Sequence, residues 1–520
     1  DRRAEKAVVI GAGIGGLSAA LRLAHAGLAV SVIDTAPGPG GKMRTRDSLA
    51  GPVDIGPTVM TLKPVFETLF ADVGARLADH VTLIPDHILA RHFWPDGSQL
   101  DLHAEAEASA RAVRDFAGKT AEAQFRRFSR RAARLFAAFD QPVMQAAKPK
   151  LAGLTGHVLK NPTLLPAMAP GLSLAASLAR QFSDPRLRQL FGRYATYVGG
   201  SPYESPAVLA LIWQSEAGGV WRVQGGMHKL AQAMQQLAEA RGASFRFGIG
   251  ATRIEQQDGR VTAVHLADGT RLAADLVVFN GDPKALVDGH LGSGPRQAVP
   301  RKSVARRSLS AFVWGFAATP TGVELAHHNV FFCADPRQEF ADLAAGRMPG
   351  NGTLYVCAQD RGGDAPMGPE RFEIILNGPP GHPSTPEDAY SCKTRTFDTL
   401  AQMGLRFSPT PDTSALTMPG DFDRAFPASD GSLYGLSPHG MMATFQRPTA
   451  RTAIKGLYLA GGGAHPGAGI PMACLSGRHA AAAILSDLAS TSMSRPMATP
   501  GGMSTGSAMT GSVRSPSSAS

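Results

Sequence analysis

Ala7-Val-Val-Ile10, Gly11-Ala-Gly-Ile-Gly-Gly16 and Leu17-Ser-Ala-Ala-Leu-Arg-Leu-Ala24, read in one line, decide the fold of this chain. The apolar run predicts a buried strand, the glycines a tight turn, and the next apolar pattern a helix. A second apolar run, Ala29-Val-Ser-Val-Ile33, ends in Asp34, 18 positions after Gly16. Strand, glycine turn, helix, strand and acid in that order predict a dinucleotide-binding βαβ unit. Gly11 permits the turn, Gly13 lets backbone approach a pyrophosphate, and Gly16 lets the helix lie close to the strand. Asp34 can accept hydrogen bonds from a ribose. The plain alternative is a tight βαβ turn with a solvated aspartate.

The residues that follow say which dinucleotide. Gly38-Pro-Gly-Gly-Lys-Met-Arg-Thr45 and Asp54-Ile-Gly-Pro-Thr58 come at once after the unit. A nicotinamide dehydrogenase does not need this second glycine and basic patch. A flavoprotein does, because FAD lies extended and its middle must be cradled. Gly41, Lys42, Arg44, Pro57 and Thr58 are therefore cofactor candidates, with ordinary surface charge as the other role for the two cations. A complementary half-site lies more than 400 residues later, in Leu457-Tyr-Leu-Ala-Gly-Gly-Gly-Ala-His-Pro-Gly-Ala-Gly-Ile-Pro-Met472. It predicts a strand, a glycine turn with Gly461 and Gly462, and a helix start near Pro471 and Met472. Free N–H groups at a helix start favour anions and polar rings. His465 lies within that turn, with a structural hydrogen bond as its other role.

These blocks, with Val220-Trp-Arg-Val-Gln-Gly-Gly-Met-His-Lys-Leu230 and Ala274-Asp-Leu-Val-Val-Phe-Asn-Gly-Asp-Pro283 between them, resemble the bacterial phytoene (carotenoid) desaturase family of the flavin amine-oxidase superfamily. The resemblance covers most of residues 7–488. Gly431-Ser-Leu-Tyr-Gly435, Met441-Met442 and Pro471-Met472 look most like the 1-hydroxycarotenoid 3,4-desaturases, or methoxyneurosporene dehydrogenases. The resemblance implies an α/β fold: a Rossmann-like FAD-binding domain, interleaved with a sheet-plus-helix substrate domain and a helical, membrane-facing cap. The expected division is 1–75, 221–290 and 441–488 for FAD, 100–220 for the cap, 291–440 for the substrate domain, and 489–520 for a disordered tail. Strand candidates in the substrate part are His328–Phe332, Thr353–Cys357 and Arg371–Leu376. The resemblance also implies non-covalent FAD and a carotenoid drawn from lipid, with oxygen or a quinone as the kind of electron acceptor. Ala251 stands where the family commonly has valine against adenine, a backbone contact that tolerates the change. Gly461-Gly462 stands where many flavin amine oxidases carry an acid, and Asp34 replaces the commoner, longer glutamate.

Bulk properties agree. The 520 residues suffice for two or three domains with a sizeable core. Charged residues are 18% and hydrophobic ones 43%, which suits a soluble or membrane-surface protein. No apolar run reaches the ~18 residues of a spanning helix, and no secretory leader pattern precedes the first strand. Cys333, Cys357, Cys392 and Cys474 follow no metal spacing and read as reduced packing residues, so no metal is expected. The expected location is cytoplasmic, attached peripherally to the inner or intracytoplasmic membrane.

The net charge of +10 is uneven: residues 124–150 carry seven basic residues against one acid, Asp140. Phe125, Phe128, Ala132, Leu135, Phe136 and Phe139 recur there at helical spacing. Two readings follow, an amphipathic helix on anionic lipid and a cap helix packed on the protein. Nucleic-acid binding has no recognition module to support it. The apolar segment from Leu151 to Ala179, broken by Pro162, Pro166 and Pro170, suits a lipid interface or an apolar tunnel.

Desaturation removes a hydride to the flavin and a proton, and the allylic cation between them is stabilised by conjugation. A strong base is less necessary, and none is assigned. Asp184, Arg188, Arg193 and Tyr197 share a cap segment and read as surface charge and packing. Other activities on the same scaffold are phytoene desaturation, carotenoid isomerisation or oxygenation, and non-enzymatic lipid carriage.

Overall fold

The computed structural model describes residues 4–364 and 366–493. The glycine turn stands on a sheet of five parallel strands, in the order Leu457–Leu459, Leu276–Phe279, Lys6–Ile10, Ala29–Asp34, Ser244–Phe247. Three distant stretches of chain thus supply one sheet. The strands are rich in Val, Ile and Leu because both faces are covered, as parallel sheets require. Helix Ile14–His25 makes the first crossover and is buried along most of its length. Its packing tolerates no side chain at key points. A Cβ on Gly16 would lie 2.0 Å from the Gly11 carbonyl oxygen, and one on Gly477 would lie 2.3 Å from that of Gly15. Gly477 belongs to the last helix, Ile470–Met493, which is joined to the first by Ser18 Oγ donating to Cys474 O at 2.9 Å.

An eight-stranded sheet forms the second layer. Its path is Leu405–Ser408, Ser310–Gly322, Glu370–Gly378, Leu354–Ala358, His328–Phe331, Ile88–Phe93 and Gln99–His103, with Leu416–Thr417 beside the second strand. Alternation sorts its faces. Phe312, Trp314, Phe316, Phe372, Ile374 and Val356 point to a core shared with helix Pro386–Gln402. The alternate positions, Val313, Tyr355, Glu373 and Ile375 among them, line the cavities described below.

Helices Lys119–Phe139, Leu174–Gln181, Pro185–Gly192 and Leu211–Ala217 surround a third core. This packing supports the second reading of the basic helix, a cap helix packed on the protein. Phe125, Phe128, Ala132 and Leu135 are buried in the protein, where Phe128 meets Phe182 and Phe191 at centroid distances of 5.3 and 4.5 Å. Uncovering such a ring forfeits stability on the scale of a Phe→Ala core truncation, about 3–5 kcal/mol, so the face stays with its aromatic partners. The opposite face carries exposed Arg127, Arg130 and Arg134, while Arg126 pairs with Glu107 at 2.7 Å and Glu122 at 2.8 Å.

The tail differs from expectation at its start. Helix Ile470–Met493 runs through 489–493, reinforced by Ser490 Oγ and Thr491 Oγ1 donating to carbonyls one turn back, at 3.0 and 2.9 Å. Residues 494–520 lie outside the described residues. Among the described residues no helix is long and apolar enough to cross a membrane.

Candidate functional site

A cavity of ≈ 450 Å³ follows the glycine turn from the first sheet to the second. Gly11, at φ +104°, releases the strand into the turn, and Gly13 is the N-cap of the first helix without a side chain to block its N–H groups. Asp34 lines the cavity at the end of the second strand. Its carboxylate accepts the Ala12 and Ala36 N–H groups at 2.7 and 2.8 Å, which fixes its orientation. Gly41, Lys42, Arg44, Pro57, Ala251, Gly461 and Gly462 line the same cavity. Lys42 Nζ donates to Leu433 O at 2.7 Å, and burial pushes its pKa down to about 8. Arg44 Nε donates to Gly41 O at 2.9 Å, and its guanidinium lies 4.8 Å from the Phe426 ring centroid.

The wall fits FAD on its own chemistry. A Cβ on Gly15 would lie 2.5 Å from Gly461 N, so the two glycine turns meet backbone to backbone. Asn280 Oδ1 is buried beside them without a hydrogen-bond partner among the described residues. Bare amides, an acid at the strand end and two cations are the groups an extended dinucleotide needs. The sequence reading missed Asn280, although it quoted the block that contains it. It also missed Arg447, whose guanidinium ties the C-terminal turn to its neighbour by donating to Gly462 O at 2.6 Å and Tyr434 O at 3.0 Å.

Five predicted residues do not line this cavity. Gly16 serves the helix packing described above. Thr58, Pro471 and Met472 line a second cavity of ≈ 760 Å³ instead. His465 lines neither cavity. Its ring turns away from the glycine turn, donates from Nε2 to Ala146 O at 2.7 Å and stacks on His479. Burial lowers its pKa to about 4, so it stands neutral as a structural pin.

The two cavities adjoin. Pro57, Ile375, Asn377, Tyr434, Gly469 and Ile470 line both. The second is walled mainly by Leu, Val, Ile, Met and Pro from the cap, from 151–172 and from the 441–445 turn. Of the nine large exposed hydrophobic side chains among the described residues, Leu151, Leu159, Leu165, Met441 and Met442 belong to this one cavity.

Polar groups enter at the junction. Thr58 Oγ1 lies 2.9 Å from Tyr355 Oη, which lies 2.6 Å from His328 Nδ1. Beyond it, His328 Nε2 faces Asp86 at 3.4 Å, and Asp86 accepts from Arg222 Nε at 2.6 Å. Glu373 is buried in mid-strand, and neither carboxyl oxygen has a hydrogen-bond partner among the described residues. Burial, then the neighbouring Asp54 charge, raises its pKa well above the usual carboxyl range. His327, His328 and Cys357 bring three donor atoms within 4.8 Å of one another, but His327 Nδ1 already serves Arg361 O at 2.8 Å.

The four polar residues of the cap segment divide. Asp184 caps helix Pro185–Gly192 and pairs with Arg186, and Arg188 donates to Phe182 O. Arg193 and Tyr197 face the second cavity.

A nucleotide-binding turn closed by a distant glycine block, beside an apolar cavity, defines an FAD-dependent oxidoreductase. Residues 14–310 match the flavin containing amine oxidoreductase family, to which the chain belongs. Within it, the chain falls among the carotenoid desaturases. It is 57% identical to a hydroxyneurosporene desaturase of Cereibacter sphaeroides, over 94% of this chain and 99% of that one. It is 44% identical to a protein of the same name from Rubrivivax gelatinosus, over 98% and 99%. Putrescine oxidase bound to putrescine shares the fold, with a TM-score of 0.58 at 15% identity, over 93% of this chain and 99% of that one.

Proposed function

We propose that this protein introduces the 3,4 double bond into a 1-hydroxycarotenoid drawn directly from a membrane. The observation that carries the reading is the junction of the two cavities: a nucleotide cradle opens through Pro57, Ile375, Asn377, Tyr434, Gly469 and Ile470 into a long apolar chamber. When bound, FAD supplies the two-electron acceptor that removal of hydrogen from a C–C bond requires. The residues do the rest. Ile375 and Ile470, which line both cavities, present apolar surface at the junction, which disfavours water beside the reacting carbons. Tyr355, held by Thr58 and His328, fixes the polar edge of the chamber. Burial of Glu373 favours its uncharged form, which suits a site that must accept hydrocarbon.

The membrane part of the reading rests on the chamber's mouth rather than on the basic helix. Leu151, Leu159, Leu165, Met441 and Met442 can dip into the acyl boundary, and exposed Lys148, Lys150 and Lys160 flank them. Each cation near an anionic leaflet adds ~1 kcal/mol. Electrons leave to an acceptor such as a quinone or oxygen.

The test presents 1-hydroxyneurosporene and phytoene separately, at equal loading in liposomes, to FAD-loaded protein. Longer conjugation is expected from the hydroxylated substrate alone. Turnover of phytoene alone overturns the substrate reading.

A further inference from the structure

The second cavity is built for hydrocarbon, yet it carries an ionisable cluster in its wall. Arg193 Nη1 donates to Tyr197 Oη at 3.2 Å, and Tyr197 Oη donates to Glu216 Oε2 at 2.9 Å. All three side chains line the cavity. Glu216 is buried, while Arg193 and Tyr197 are half-buried. The guanidinium also faces the Tyr355 ring, 5.6 Å from its centroid. Among the described residues, Arg193 Nε and Nη2 make no hydrogen bond, so donors of a full positive charge look into an apolar chamber. A lipid chain offers them no acceptor. A polar ligand atom would complete the site.

The cluster's place says which ligand atom. Tyr355 is paired with Ile375 on the neighbouring strand, and Ile375 lines both cavities. Thr58, hydrogen-bonded to Tyr355, directly follows Pro57, which also lines both. Neighbouring strands are ~4.8 Å apart, so the polar cluster begins about one strand spacing from the junction. On a 1-hydroxycarotenoid the hydroxyl oxygen is three bonds from C3. A polar tip bound at the cluster therefore leaves the 3,4 bond at the junction, with the apolar remainder running back toward Leu151 and Leu159. A rod desaturated near its middle has no use for donors at this depth.

We infer that Arg193 reads the hydroxyl end of the substrate. Its guanidinium donates to the hydroxyl oxygen, while Tyr197 and Glu216 hold it in place and balance its charge. This inference rests on the hydroxycarotenoid reading above. It adds that selectivity against the hydrocarbon resides in this cluster. A hydrogen bond from a charged donor separates the two ligands by about 10- to 100-fold.

The experiment compares holoenzyme variants for retention of 1-hydroxyneurosporene and of neurosporene, which lacks the hydroxyl. Both are offered in phosphatidylcholine–phosphatidylglycerol vesicles, and the pigment kept by immobilised protein is measured alongside KM and kcat. The double variant Arg193→Met/Glu216→Gln removes both charges together, so that no lone buried ion is left. It should keep its FAD and its retention of neurosporene, and lose the preference for the hydroxylated ligand to within about twofold, if the preference is worth the one bond. Arg193→Lys keeps the charge but loses the fork, and should give an intermediate preference with KM raised more than kcat is lowered. A double variant that retains FAD and the full preference overturns the inference. If the double variant does not fold, an unchanged preference in Arg193→Lys overturns it equally. Wild-type protein without any preference, and without turnover of the hydroxylated ligand, overturns the substrate reading itself.

Discussion

Replacing Gly16 by alanine adds one methyl group, and the structure says where it would go. Its Cβ would lie 2.0 Å from the Gly11 carbonyl oxygen, against a limit of 3.0 Å for real contacts. The first helix must therefore retreat by about 1 Å from the end of the first strand. Both partners are backbone, so no rotamer can absorb the clash. Overpacking of this kind costs about 1–3 kcal/mol, and here the upper end applies. The displaced atoms are those of the Gly11–Gly13 cradle, so much of the penalty falls on cofactor binding, up to about 100-fold in affinity. The assay is the flavin-to-protein ratio after desalting, followed by the thermal midpoint with and without added FAD. Gly38→Ala is the matched control: an added Cβ there meets nothing within 4 Å, and its φ lies outside the left-handed region. Gly38→Ala should retain wild-type flavin. If Gly16→Ala does so as well, with an unchanged midpoint, the close helix–strand contact is not what shapes the phosphate site.

Other outcomes follow from single features. Leu151, Leu159 and Leu165 changed together to Ser should weaken co-sedimentation with vesicles at all salt concentrations, whereas Arg127→Gln/Arg130→Gln should matter at most at low salt; the reverse pattern would return the membrane contact to the basic helix. His92 and His465 are each lowered by burial to about 4 from 6.5. The unfolded chain therefore binds more protons between those limits, and stability falls as pH drops from about 6.5 toward 4, by about 3 kcal/mol for each at most. Denaturant midpoints at pH 7 and pH 5 check this, and His465→Gln should flatten part of the slope. Glu373 is raised, so its carboxyl penalises the fold increasingly as pH rises above 4.5. Glu373→Gln should stabilise the protein at neutral pH, more so at alkaline pH, and thermal midpoints across pH would expose a charged, paired Glu373 by moving the other way.

Much of the cofactor half was legible because its constraints are local. A turn that must expose bare amides next to a close-packed helix leaves a written trace in Gly11, Gly13 and Gly16, and Asp34 follows at the end of the next strand. The helical period of Phe125, Phe128, Ala132 and Leu135 was equally clear, but a period states only that a face is apolar. What covers it depends on Phe182, Phe191 and Trp213, from later helices, and no spacing rule links these to it. His465 sat inside the right motif and pointed away from it, because its partner, Ala146 O, lies 319 positions earlier. Glu373 reads as one polar residue in an alternating strand. Only the pairing of that strand with its neighbours reveals that its face borders a cavity rather than solvent. Arg193 and Tyr197 were noticed together, yet Glu216, which completes their cluster, was not, since it enters from a separate helix.

In the proposed reaction, hydrogen passes from a hydroxylated polyene to FAD at the junction of the two cavities. Anaerobic mixing of FAD-loaded protein with 1-hydroxyneurosporene in liposomes tests it most directly, with the flavin and carotenoid bands followed together. The oxidised-flavin band should bleach in step with the appearance of a red-shifted, more conjugated carotenoid, one flavin reduced for each double bond formed. A carotenoid spectrum that shifts while the flavin stays oxidised, or a flavin that stays oxidised with no shift at all, would contradict it.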